Sequence, residues 1–350
     1  MKAVILVGGE GTRLRPLTLG TPKPVVPVVD RPFLRHQLEL LGGAGIREVV
    51  LSVAYRPERI QHIFGDGRSL GLTIRYAFEE TPLGTGGAVK NAEPDLDERT
   101  VVLNGDILTD VDLAAIVSAH VSAGASATIL LAPVPNPAAY GLVETDDGGR
   151  VLRFIEKPDP SQITTNTINA GVYVLETRVL ELMPPRVKHS IERAFFPALL
   201  ARGDLVLGPV HRGYWIDIGT HDTYRQVHRD ILHGRFPVRL DGVPREGGVV
   251  HPRARIEPGA RLRGPFYAGP GCEVAGGAEL GPDAVLVADV AIDPGARVTD
   301  SVLWAGTRVG AETQVQGALL GGNVRIGRNA RITGAVLGDG SVVSDFSCAP

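Results

Sequence analysis

The chain has 350 residues, 43% of them apolar, and a formal net charge of −3 with both signs mixed. That length predicts two domains, and that charge gives no reason to expect nucleic acid or a membrane as partner. Two cysteines, Cys272 and Cys348, supply no disulfide framework, and no apolar run nears the ~20 residues that span a bilayer, so a cytoplasmic protein is expected.

Residues 3–7 form a continuous apolar run, the pattern of a strand buried on both faces. Gly8, Gly9 and Gly11 follow, where the backbone can turn sharply and present successive N–H groups to an anion. Arg13 adds a planar fork of donors suited to phosphate oxygens. Pro16, Thr18 and Pro22-Lys23-Pro24 close the block. The spacing of Phe33, Leu34, Gln37, Leu38 and Leu41 predicts a helix packed back on that strand. The loop is not a Walker A motif, because no Gly-Lys-Ser/Thr is present. It is not the dinucleotide fingerprint either, because the third glycine position is Leu14; this argues against a dehydrogenase.

Further strands are predicted at 49–54, 72–77, 100–104 and 127–132, alternating with helices. The fold class expected for residues 1–232 is therefore α/β: Rossmann-like, with a mixed, mostly parallel sheet covered on both faces. In such sheets ligands lie beyond the carboxyl ends of the strands. The polar motifs follow strands in this way: Glu79-Glu80-Thr81-Pro82-Leu83-Gly84, Asn104-Gly105-Asp106, Tyr140-Gly141, Glu156-Lys157-Pro158, Asn169-Ala170-Gly171, and Trp215-Ile216-Asp217.

Taken together, this series resembles the sugar nucleotidyltransferases, and its residues are most similar to the mannose-1-phosphate guanylyltransferase branch. The resemblance implies an α/β enzyme that joins a nucleoside triphosphate to a sugar 1-phosphate with release of pyrophosphate. It implies that Leu6, Gly8, Gly9, Gly11, Thr12, Glu79, Glu80, Pro82, Leu83, Gly84, Asn104 and Gly105 hold the nucleotide. Arg13 and Lys23 would neutralise its phosphates. Gly141, Glu156, Lys157, Asn169 and Gly171 would hold the sugar phosphate, with Lys157 on the attacking phosphate. Asp106 and Asp217 match the family's magnesium ligands, and Asp is the hard oxygen donor that Mg²⁺ favours. The segment from His189 to Pro197 has mainly a structural part, and Trp215 mainly a packing one.

Glu79 is the expected reader of the base, with Glu80 in its place if the register shifts by one. Guanine offers two adjacent donors, and a carboxylate accepts both at once. GTP and mannose 1-phosphate are the favoured substrates. The rivals are a thymidylyl- or uridylyltransferase acting on glucose 1-phosphate, and a non-catalytic subunit that binds nucleotide sugar.

Prolines and glycines between 233 and 248 mark a linker. From 249 to 350 the pattern is different. Val250, Ile256, Leu262, Val274, Leu280, Leu286, Ile292 and Val298 share a six-residue grid. Leu286, Leu303, Leu320 and Leu337 then recur at seventeen, as do Ile292, Val309, Ile326 and Val343. Hexads of this kind predict a parallel β-helix whose inward residues stack coil on coil. The segment resembles the left-handed β-helix of hexapeptide-repeat proteins. With His251 as its lone histidine, it reads as a scaffold for self-association, giving a homo-oligomer, or as a lid, and not as a second enzyme. The end, Cys348-Ala349-Pro350, reads as a frayed cap.

Overall fold

The structure is a computed structural model and describes residues 1–349. It separates into two compact units, and the division does not follow the order of the sequence. One unit is Met1–Glu10 with Leu34–Trp215; the other is Gly11–Phe33 with the chain from Ile216 onward.

In the first unit the elements run β1 (Lys2–Leu6), α1 (Phe33–Gly43, which begins at the boundary), β2 (Glu48–Val53), α2 (Pro57–Phe64), β3 (Thr73–Phe78), α3 (Gly84–Ala92) and β4 (Arg99–Asn104). Then come α4 (Leu113–Ala123), β5 (Ala127–Pro133), β6 (Gly141–Thr145), β7 (Val151–Glu156), β8 (Thr167–Glu176) and α5 (Phe196–Arg202). The strands form one sheet in the order β7-β6-β8-β4-β1-β2-β3, with β5 also pairing to β8. β1 to β4 pair in parallel. Their Val, Ile and Leu runs suit a sheet covered on both faces; Val4, Ile5, Val50, Leu51, Val102 and Leu103 are buried. All five predicted strands are present to within one residue. The second half of the sheet is antiparallel, because β8 runs against β4, β5 and β6. β6 and β7 are a hairpin closed by Asp146-Asp147-Gly148-Gly149. The Asp146 carboxylate accepts from the Gly148 and Arg150 N–H groups at 2.9 Å each, the usual way an Asp stabilises a turn.

The second unit contains the parallel β-helix. Short strands stack in three sheets, and successive coils pair in register: Leu286 on Leu303, Ile292 on Val309, Val298 on Val315. The residues of the hexad grid form its interior; Val274, Leu280, Leu286, Val298 and Leu303 are fully buried. One sheet also buries its outer residues: Tyr267, Val285, Val302 and Leu319 are 0 to 1% exposed. On the other two sheets most outer residues are exposed, among them Arg255, Glu273, Arg308, Arg325, Arg297 and Arg331, while Glu279 is buried. Within 233–248, Val243–Arg245 pairs antiparallel with Gly248–Val250 as the first strand pair. The end is not frayed as far as it is described: Cys348–Ala349 pairs with Arg331 and Ile332, while Pro350 lies outside the described residues.

Helix α6 (His221–Leu232) also belongs to this unit. Thr220 caps it by accepting from the Thr223 N–H, and Tyr224, Val227, His228 and Ile231 make its buried stripe. It lies on the covered sheet of the β-helix. Arg229 gives Asp300 a two-pronged ion pair at 2.7 and 2.5 Å, Arg225 donates to the Gly317 carbonyl at 2.5 Å, and the Trp304 indole N–H donates to the Tyr224 hydroxyl at 3.0 Å. No described helix is long and apolar enough to cross a membrane.

Candidate active site

The residues named from the sequence fall into two sets, one in each unit, since the unit boundary passes between Glu10 and Gly11.

In the first unit Leu6, Gly8, Gly9, the 79–84 loop and Asn104–Asp106 lie at the carboxyl ends of the parallel strands β1, β3 and β4, and Glu156 ends β7. Gly141, however, opens β6, and Asn169 and Gly171 lie within β8, because the sheet is antiparallel there and those motifs do not follow strands as expected. Leu6 ends β1, opposite Ser52 and Asn104 on its two neighbours. Gly8 and Gly9 follow; a side chain at Gly8 would meet the Glu79 carboxylate at 3.2 Å, whereas Gly9 faces open space. Gly105 donates to the Leu6 carbonyl at 3.0 Å, and a Cβ there would sit 2.3 Å from that oxygen. Only glycine permits this approach, which sets the turn carrying Asp106. Asn104 is held from below by Gln37, whose amide donates to the Asn104 and Ile107 carbonyls at 2.8 and 3.0 Å. Gln37 is a polar residue on the buried stripe of α1, and that mismatch is the sequence signal of its role.

The two glutamates of the 79–84 loop have different surroundings. Glu79 is 8% exposed; it accepts from the Ser52 hydroxyl at 2.9 Å and from the Leu83 N–H at 2.8 Å. Both its oxygens are thus used in shaping the loop. Glu80, Thr81 and Pro82 are exposed. Gly84 has φ +70°, and a Cβ there would lie 2.7 Å from the His189 carbonyl. That carbonyl accepts from the N–H groups of Gly86 and Gly87, and Thr85 donates to Glu192 at 2.7 Å. The 189–192 segment therefore packs as one wall of the 79–87 loop.

The sugar-phosphate candidates are on β6, β7 and β8. Gly141 pairs with Glu156 across the hairpin. Burial pushes the Glu156 carboxyl above the usual carboxylate range, nearby Glu192 adds to the rise, and Lys157 and Arg193 oppose it. Glu192 and Arg193 were not singled out by sequence reasoning, because they meet Glu156 only through the fold. Lys157 has φ +53°, an uncommon conformation for a long side chain, and its N–H bonds the Tyr140 carbonyl at 3.1 Å. Asn169 accepts from the Gly171 N–H at 3.0 Å and donates to the Tyr173 hydroxyl at 2.8 Å. Trp215 packs edge-on against Tyr140 and donates to the Ala170 carbonyl at 2.9 Å, so it braces this wall.

In the second unit Gly11 (φ +64°) opens the 3₁₀ turn Thr12–Leu14, and its carbonyl accepts from Thr18 at 2.7 Å. Lys23 is 7% exposed, with its ammonium 3.8 Å from an Asp217 oxygen. Arg13 comes to the same place. A Cβ on Gly219 would lie 2.7 Å from the Arg13 guanidinium and 2.8 Å from Asp217. Two cations and one carboxylate thus converge, an arrangement suited to a phosphate and a hard metal ion.

Two family models match the chain, one on each part: nucleotidyl transferase over residues 2–234, and GMPPB C-terminal domain over residues 248–348. A mannose-1-phosphate guanylyltransferase of Mycobacterium tuberculosis is 43% identical over 298 residues, 85% of this chain and 80% of that protein. A UTP–glucose-1-phosphate uridylyltransferase of Synechocystis is 33% identical over 340 residues, 87% of each. The crystal structure of HddC from Yersinia pseudotuberculosis complexed with GMP-PN superimposes with a TM-score of 0.57 at 29% identity, covering 66% of this chain and 99% of that one. The chain belongs to the nucleotidyl transferase family.

Proposed function

We propose that this protein transfers GMP from GTP to mannose 1-phosphate, giving GDP-mannose and pyrophosphate. The observation that carries the reading is the convergence of Arg13 and Lys23 on Asp217, next to the glycine turn of the family motif. The 43% identity to a mannose-1-phosphate guanylyltransferase supports the choice of substrates.

In this reaction an oxygen of the sugar 1-phosphate attacks the α-phosphorus of the triphosphate. The bond from that phosphorus to the bridging oxygen breaks, and pyrophosphate leaves. The nucleophile is already an anion, so no general base is needed, and alignment and charge neutralisation do the work. Arg13 and Lys23 neutralise the phosphates as charge builds. Lys157, held in its left-handed conformation, orients the attacking phosphate. Glu156 and Asn169 bond sugar hydroxyls. Mg²⁺ accepts one or two carboxylates and otherwise phosphate oxygens, and Asp106 and Asp217 fit that donor set and would hold it. When bound, it supplies further neutralisation of the triphosphate. A cytoplasmic setting and a homo-oligomeric state belong to the same proposal, resting on the cysteine usage and the long β-helix.

For the base, the geometry supports Glu80 over Glu79, whose two oxygens already have protein donors. Efficiencies for GTP, UTP and dTTP against mannose and glucose 1-phosphates test the reading. Glu80→Gln is expected to cut the GTP-to-UTP ratio by ~1.5–3 kcal/mol, the worth of a hydrogen bond to a charged group. Glu79→Gln is expected to slow all triphosphates alike. A wild type that favours UTP with glucose 1-phosphate would overturn the proposal.

A further inference from the structure

Lys23 lies on a short 3₁₀ turn, Lys23–Val25, that leads directly into a tight hairpin, Pro27–Val28 against Arg31–Pro32. The turn and hairpin are joined by backbone bonds: Val26 N–H to the Lys23 carbonyl at 3.2 Å, and Phe33 N–H to the Val26 carbonyl at 2.9 Å. At the hairpin tip Val29 has φ +56°. Tips of this shape favour Asn or Gly, and a β-branched residue there is a genuine outlier. Something outside the hairpin must hold it.

Helix α6 supplies the hold. The buried Tyr224 hydroxyl donates to the Pro27 carbonyl at 2.5 Å, and the Val29 N–H donates to Nδ1 of His228 at 3.2 Å. Tyr224 in turn accepts from the Trp304 indole N–H at 3.0 Å, and Trp304 is on a coil of the β-helix. Burial pushes the Tyr224 phenol well above its ordinary range, so it remains a donor. The other tip residue is tied to the same part of the chain. Asp30 accepts from the Asp241 N–H at 2.9 Å, and the Asp241 carbonyl accepts from the Tyr267 hydroxyl at 3.2 Å. None of these partners is within 190 residues of the hairpin in sequence. All belong to the compact unit that also contains Arg13, Lys23 and Asp217.

We infer that Trp304 and Tyr224 are positioning residues for nucleotidyl transfer: the β-helix, through a hydrogen-bonded chain Trp304–Tyr224–Pro27, fixes the hairpin and thereby holds the Lys23 ammonium where charge develops. The inference rests on the proposed function, in which Lys23 acts on the phosphates. It gives the β-helix a direct part in the rate, besides any part in assembly. Misplacing a reacting group by about 1 Å can cost on the order of 100-fold; loss of one link in a packed network should cost less.

The test is steady-state kinetics on the full chain with Tyr224→Phe, Trp304→Phe and the double variant, at a temperature where circular dichroism shows each fully folded. Tyr224→Phe is expected to lower kcat about tenfold, with both KM values within about twofold. Trp304→Phe should lower kcat less, and the double variant should be no slower than Tyr224→Phe, because the two act in one chain. Lys23→Ala is run beside them. If Lys23→Ala is inactive while folded Tyr224→Phe and Trp304→Phe keep the wild-type kcat, the inference is overturned and the bonds are purely structural. If Lys23→Ala is itself fully active, the assignment of Lys23 fails instead, and the inference falls with it. Should Tyr224→Phe not fold, the kcat of Trp304→Phe alone decides: a lowered value supports the inference, and a wild-type value overturns it.

Discussion

The covered sheet of the β-helix and its two open sheets share one interior and differ on the outside. Along the covered sheet each coil places two apolar residues side by side: Val285-Leu286, Val302-Leu303, Leu319-Leu320. Inner and outer members are equally buried. Along the open sheets the outer residue is mostly charged or polar beside an apolar inner one, as in Arg308-Val309, Arg325-Ile326, Arg297-Val298 and Gln314-Val315, with Ala291 and Val342 the apolar exceptions. A coil needs only its inner residues to stack. The outer Val and Leu residues mark where the solenoid ceases to be a free rod and becomes a wall for helix α6. In this protein the repeat domain is thus part of the body that contains Lys23 and Asp217.

The sharpest way to break this comparison is to put a charge on each kind of outer face. Val302→Asp buries a carboxylate without a partner and is expected to cost about 4 kcal/mol or more, seen as loss of the folded state in a denaturant titration. If Val302→Asp is tolerated as a surface change, the sheet is not covered in solution. Next in size, Leu319→Ala on the outside and Leu320→Ala on the inside should each cost ~2–5 kcal/mol, with neither much cheaper than the other. A cheap Leu319→Ala beside an expensive Leu320→Ala would show an open outer face. Smallest is Arg325→Glu. Arg308 and Arg325 are neighbours in register on adjacent strands, and like charges so placed repel. Reversing one should raise stability by ~0.2–1 kcal/mol, an effect that shrinks as salt is added.

Much of this was legible in the sequence. The five strands, the helix after the glycine turn and the hexad tail rest on local periodicity, and the structure reproduces them. The motifs after β1, β3 and β4 lie at strand ends because parallel strands put their carboxyl ends on one side, whereas Gly141 opens β6 and Asn169 and Gly171 lie within β8, where the sheet is antiparallel. What the sequence concealed depends on partners far along the chain. Glu79 accepts from the hydroxyl of Ser52, 27 residues earlier, a contact that the pattern of the 79–84 loop does not show. The segment 11–33 looked like part of the first domain, yet it clusters with residues from Ile216 onward. One of its ties to that region is a Val29 amide bonded to a histidine 199 residues later, and no local pattern carries that information. The covered face is an intermediate case. The paired Val-Leu repeats were visible, but a grid that tracked only the inward residue passed over their neighbours.

The cut between Glu10 and Gly11 also limits how such chains can be recombined. A chimaera that exchanges the tail at the linker would keep helix α6 and hairpin 27–32 from one parent and take Trp304, Asp300 and Tyr267 from the other. The junction would be silent in the linker itself, and the mismatch would appear more than 200 residues upstream, at the turn below Lys23. Parents compatible at Trp304–Tyr224 and Asp300–Arg229 should give active hybrids, whereas parents chosen only by overall identity should give folded halves with a poorly seated lysine.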